Sequence, residues 1–185
     1  MKKQLPNILT YSRIVVIPAL AAVYLLMKGE LSNYICAGLF MFASITDFFD
    51  GYLARAWHAH SSLGRFLDPI ADKLLVATAL MLLVSDHRAD IVPAIAILCR
   101  EILVSGLREF LAELHISVPV STLAKYKTAA QMVAIFLLLF GMPNAGALAG
   151  ASFMLGNVFL WVAAALTLIT GYAYLKTGLK HLSAG

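Results

Sequence analysis

The sequence predicts an all-α protein: an integral membrane bundle of six transmembrane helices with a short N-terminal interfacial helix. Three observations carry that reading. The 185-residue chain is 61% hydrophobic and only 13% charged, with a mean hydropathy of +0.85, outside the range of ordinary soluble domains. Its apolar residues gather into stretches near the ~20 residues that a helix needs to cross a bilayer. These run roughly over 9–27, 32–54, 64–85, 90–112, 125–141 and 151–175. Its lysines and arginines, finally, are distributed unequally between the two sets of connections.

Residues 1–13, MKKQLPNILTYSR, begin with a polar lead, after which Leu5, Ile8 and Leu9 can lie on a membrane surface. The opening MKK and the apolar run after it have the outline of a signal peptide. Arg13 and Pro18 interrupt that run and no small-residue cleavage site follows, so the segment reads as retained. Pro18 cannot donate to the carbonyl of Ile14, which predicts a mild kink in the first span. KGELSN and SDHRAD form short connections on one side, and GMPNAGALAG forms an uncharged one. Six spans and their loops consume the chain, so residues 1–185 read as a single membrane domain.

With six spans, both termini and the second and fourth connections share a side. That side holds Lys2, Lys3, Arg13, Arg55, Arg65, Arg108, Lys125, Lys127, Lys176 and Lys180, against Lys28 and Arg88 on the other. By the positive-inside rule the first side is cytoplasmic. Basic residues scattered among spans argue against a nucleic-acid interface. Cys36 and Cys99 fall in apolar helix and read as small core hydrophobes.

Charge is concentrated where the second span ends and the third begins. Asp47 and Asp50 are three apart and Asp68 and Asp72 four apart, so each pair shares a helix face. The two helices run antiparallel, so their facing ends aim four carboxylates into one small volume. Unpaired, such a cluster would be costly near a bilayer. Protonation, pairing with Arg55, Arg65 or Lys73, or simple solvation would each reduce the cost. Intramembrane ionisable groups are nevertheless functional by default, and clustered carboxylate oxygens are what Mg²⁺ or Mn²⁺ requires. Four carboxylates with two such ions sum to zero charge. Gly51, Ala54 and Gly64 keep the surrounding surface small, which permits close backbone approach or a bulky ligand.

The pattern Asp47-x-x-Asp50-Gly51-x-x-Ala54-Arg55, eight residues, then Gly64-x-x-x-Asp68-x-x-x-Asp72 resembles the complete signature of the CDP-alcohol phosphatidyltransferases. REILVSGLREFLAE (Arg100–Glu113) and KYKTAAQMVA (Lys125–Ala134) are similar to the bacterial phosphatidylglycerophosphate synthases within that family. The resemblance implies transfer of a phosphatidyl group from CDP-diacylglycerol to an alcohol, with release of CMP. It implies that Asp47, Asp50 and Asp68 hold Mg²⁺ or Mn²⁺, with Asp72 sharing the metal shell and acting as general base. Arg55 is then expected beside the diphosphate, with Gly51, Ala54 and Gly64 under the cytidine and Asn7 and Thr10 approaching the nucleotide. The narrower resemblance makes sn-glycerol 3-phosphate the acceptor, and Arg108, Lys125, Arg100 and Lys127 its phosphate ligands. Glu101 and Glu109 could instead pair with these cations. The same resemblance implies a bacterial cytoplasmic membrane location, membrane lipids as neighbours and a possible homodimer.

His58 and His60 read as solvated loop residues, and Trp57 and Trp161 as interfacial anchors. Serine, inositol phosphate or a second lipid are the alternative acceptors within the family. A divalent-cation transporter would place polar groups toward both membrane faces, and here they gather near one. A prenyl-diphosphate transferase would need a second aspartate cluster, and the sequence has none.

Overall fold

The computed structural model describes residues 5–57, 62–114, 116, 121–143 and 146–182, with side chains described outside 5–10, 48–57, 62–66, 177 and 179–182. Among the described residues every element is helical: α1 (Leu5–Leu26), α2 (Glu30–Trp57), α3 (Ser62–Ser85), α4 (Ile91–Glu113), α5 (Thr122–Phe140) and α6 (Ala147–Leu182). The helix centres fall where the apolar stretches predict. Among the described residues no separate interfacial helix precedes α1, which begins at Leu5 and continues through Pro18 to Leu26 as one element. A proline deletes one backbone bond, and the packed neighbours hold the helix together across the gap.

Two helices, Thr122–Phe140 and Ala147–Lys176, are long and apolar enough to cross a membrane by length and composition, and Tyr11–Leu26 is a shorter apolar run. Each of the remaining helices is longer than Thr122–Phe140. At 1.5 Å per residue α3 extends about 36 Å. Their mean hydropathy is lowered by the charged residues they carry, Asp47 on α2, Asp68 and Asp72 on α3, and Arg100 and Arg108 on α4.

The core is a continuous apolar cluster that includes Leu20, Phe40, Leu75, Leu83, Ile97, Ile135, Leu138 and Leu160. Helix α1 packs against both α2 and α3, which barely touch each other among the described residues. Helix α6 lies along α5 and also covers α4. The close α5–α6 approach depends on Gly156, where a Cβ would lie 2.8 Å from Leu138 Cγ.

One end of the bundle is closed by Arg88. Its buried guanidinium donates to Asn33 Oδ1 at 2.7 Å and to the carbonyls of Leu138, Leu139 (3.0 Å) and Gly141 at the end of α5. A fixed cation there satisfies carbonyls that the helix terminus leaves open and complements its negative dipole end. Nearby, Tyr24 donates to Asp86 at 3.0 Å and the Trp161 indole N–H to Asp90 at 2.9 Å. Cys36 is buried and Cys99 exposed, and both are free thiols. The other end is open and polar.

Candidate active site

The open end is organised around Arg13. This α1 side chain is only 1% exposed, and its Nη1 lies 2.6 Å from Asp47 Oδ1 on α2. Its Nη2 lies 4.0 Å from Asp68 Oδ1 on α3. Helix α1 packs against both helices, and its arginine bridges the carboxylates that they carry. An arginine inside an apolar run is expensive unless it meets a polar partner. That signal was present in TYSRIVVIP, although the sequence alone did not say which carboxylate it would meet.

Asp50 lies one turn beyond Asp47 on α2; its side chain lies outside the described residues, as do those of Gly51, Ala54, Arg55, Gly64, Asn7 and Thr10. Their backbones belong to α1, α2 and α3 as the motif requires. His58 and His60 lie outside the described residues altogether. Among the described residues, no three His, Cys, Asp or Glu side chains form a group that could hold a metal ion. The donor chemistry fits a hard divalent cation in kind. Carboxylates from two helices already converge on one positive charge, and Asp50 follows Asp47 by one turn.

Asp72, one turn after Asp68, lines a cavity of about 490 Å³. That size suits a small polar substrate. Helix α3 also contributes Pro69 and Lys73, α4 contributes Arg100, Glu101, Ser105, Arg108 and Glu109, α5 contributes Ala124 and Thr128, and α6 contributes Tyr174. The α4 residues recur every three or four positions and so form one stripe, with Arg100 deep in the wall and Arg108 exposed. Arg13, Lys73 and Lys127 all lie within electrostatic reach of Asp72.

The structure separates the four expected phosphate ligands. Arg100 and Arg108 line the cavity. Lys127 is 1% exposed and pairs with Glu101 beneath the cavity wall, the alternative that the glutamate raised. Lys125, the fourth expected ligand, is exposed and is not among the residues that line the cavity. Two residues apart on a helix is about 200° of rotation, so the two lysines cannot share a face. Glu109 accepts from Ser105 Oγ at 3.4 Å. Thr128 and Tyr174, which the sequence reading did not single out, complete the lining.

A second, apolar cavity of about 540 Å³ lies between α2 (Phe40, Met41, Ile45) and α5 (Met132, Val133, Phe136). The described residues thus form one cavity lined by charged side chains and another lined by apolar ones. That arrangement suits a substrate with a diphosphate, an apolar tail and a separate anionic partner.

The family model for CDP-alcohol phosphatidyltransferase matches residues 3–169. The chain belongs to the CDP-alcohol phosphatidyltransferases. Among curated relatives, the CDP-diacylglycerol–glycerol-3-phosphate 3-phosphatidyltransferase of Rickettsia felis is 47% identical over 97% of this chain and 97% of its own. The Rickettsia typhi protein of the same name is 48% identical, over 94% and 96%. The Shigella flexneri one is 42% identical, over 98% of each. The matched span includes Asp47, Asp50, Asp68 and Asp72.

Proposed function

We propose that the protein transfers the phosphatidyl group of CDP-diacylglycerol to sn-glycerol 3-phosphate, forming phosphatidylglycerophosphate and CMP. The observation that carries this reading is the 490 Å³ cavity in which Asp72 faces Arg100 and Arg108. A base and two cations in one small chamber suit an acceptor that bears both a hydroxyl and a phosphate. The arginines bind the phosphate and so orient the free hydroxyl toward Asp72. Asp72 accepts the hydroxyl proton as oxygen attacks the phosphatidyl phosphorus, and the P–O bond to CMP breaks. Serine, whose carboxylate is balanced by its own ammonium group, would bring no net negative charge to the two arginines. The full-length relatives that carry the glycerol-3-phosphate name favour this acceptor over inositol phosphate.

Asp47, Asp50 and Asp68 would hold Mg²⁺ or Mn²⁺, with Asp72 sharing the shell; the bound cation supplies charge neutralisation at the diphosphate and the departing CMP. Arg13 holds Asp47 and Asp68 in place. Arg55, eight residues past Asp47 on α2, is assigned to the diphosphate, and the apolar cavity between α2 and α5 takes an acyl chain.

The bundle is read as a six-span protein of the bacterial cytoplasmic membrane with the aspartates and both termini facing the cytoplasm. Large apolar side chains exposed on every helix support this, among them Val15, Phe42, Met81, Ile102, Val133 and Leu168. A reporter fused after Gly185 is expected to be active in the cytoplasm; a signal from the outer side would reverse the orientation.

The acceptor assignment makes a kinetic prediction. Arg108→Ala is expected to raise KM for glycerol 3-phosphate about 10- to 100-fold, the loss of one charge-assisted contact, with CDP-diacylglycerol saturation unchanged. An unaltered KM for glycerol 3-phosphate would remove Arg108 from the acceptor site.

A further inference from the structure

Resting on the assignment of Arg100 to the acceptor phosphate, the geometry points to a positioning face on α6, formed by Thr170, Gly171 and Tyr174, that sets where the Arg100 guanidinium sits and so tunes affinity for the acceptor. Tyr174 lies four residues after Thr170 and three after Gly171, so the three positions share the side of α6 that packs on α4. Each constrains a different part of the arginine. Gly171 admits the aliphatic stem: a Cβ there would lie 2.9 Å from Arg100 Cγ, so any larger residue displaces the side chain. Thr170 Oγ1 accepts from Arg100 Nη2 at 3.2 Å. The same hydroxyl directs its single proton to the carbonyl of Leu166 at 2.8 Å or Thr167 at 3.2 Å, which leaves its lone pairs for the guanidinium. The Tyr174 ring lies under the guanidinium carbon, 5.8 Å from centroid to Cζ.

The contacts hold the arginine without saturating it. Arg100 Nε has no hydrogen-bond partner among the described residues, and Glu101, 3.7 Å from Nη1, is also engaged by Lys127. A guanidinium fixed on one side by an uncharged threonine and an aromatic face keeps donor capacity for an anion in the cavity that it lines. A carboxylate in place of Thr170 would neutralise it. Helix α6 is otherwise an apolar helix outside the aspartate motif, so this face is a role for it in substrate recognition.

The test uses the full-length protein in detergent and compares KM for glycerol 3-phosphate with KM for CDP-diacylglycerol. Gly171→Ala is expected to raise the first about tenfold, one displaced charge-assisted hydrogen bond, and leave the second unchanged. Thr170→Val, which adds no bulk, is expected to raise it severalfold in the same selective way. Gly178→Ala is the control. It introduces a comparable clash at the same interface, 2.7 Å from Leu107 Cδ2, without touching Arg100. It is expected to leave the ratio of the two KM values as in the parent. In an Arg100→Ala background, Gly171→Ala is expected to add nothing. Equal effects of Gly171→Ala and Gly178→Ala, no effect of Thr170→Val, or additivity with Arg100→Ala would each overturn the positioning role. An Arg100→Ala protein with normal KM for glycerol 3-phosphate would instead remove the acceptor role of Arg100 itself, a distinct failure.

Discussion

Asp72→Asn is expected to lower kcat by about 10²–10⁴-fold, the usual contribution of a positioned general base. It should leave the fold and CDP-diacylglycerol binding largely intact. The substitution preserves shape and hydrogen-bonding reach while removing the group that takes the proton. Asp72 is proposed for this role because it lines the cavity with Arg100 and Arg108, whereas Asp47 and Asp68 converge on Arg13. A division of labour among chemically identical residues follows from where their helices put them. Single-turnover CMP release measured beside equilibrium binding of CDP-diacylglycerol separates the two effects. An Asp72→Asn protein with parental turnover would dismiss the assignment of the base.

Arg13→Met carries the second large effect, and it acts on stability. Methionine retains most of the buried aliphatic stem but leaves Asp47 and Asp68 without the cation they share. Removing one partner of a buried ion pair typically costs about 3–5 kcal/mol. Here Asp47 is 43% and Asp68 25% exposed, so solvent screening reduces the figure to roughly 1–3 kcal/mol. Thermal unfolding in detergent with a chelator present is expected at a clearly lower temperature than for the parent. Excess Mg²⁺ should recover part of the loss, because a cation that binds the folded carboxylates stabilises by mass action. An unchanged unfolding temperature in chelator would show that Arg13 does not hold the carboxylates together.

Much of this was legible in the sequence because it is local. A helix long enough to cross a bilayer announces itself in hydropathy, and carboxylates at three- and four-residue spacing are set on a common face by helix geometry alone. The phase of Lys125 and Lys127 was equally local, and 200° of rotation between them already ruled out a shared face. Long-range packing was not legible. That α1 would pack against both α2 and α3, and that Arg13 would become the shared cation of Asp47 and Asp68, depends on which helices pack together. The Thr170–Gly171–Tyr174 face is hidden for the same reason: in sequence it is unremarkable apolar helix, and its meaning comes from Arg100 on α4. Helix α6 also continues to Leu182, past the expected end near 175, because Lys176 and Lys180 end the apolar run without ending helical propensity.

In the proposed function one site transfers the phosphatidyl group from a metal-assisted diphosphate to a phosphorylated acceptor. The most direct test is CMP release by the purified protein from CDP-diacylglycerol, across glycerol 3-phosphate, inositol phosphate, serine and no acceptor, each with Mg²⁺, with Mn²⁺ and with chelator. The expected result is release with glycerol 3-phosphate alone, abolished by chelator and restored by either metal, with phosphatidylglycerophosphate formed mole for mole with CMP. Release of equal rate with another acceptor, or release that survives the chelator, would contradict it.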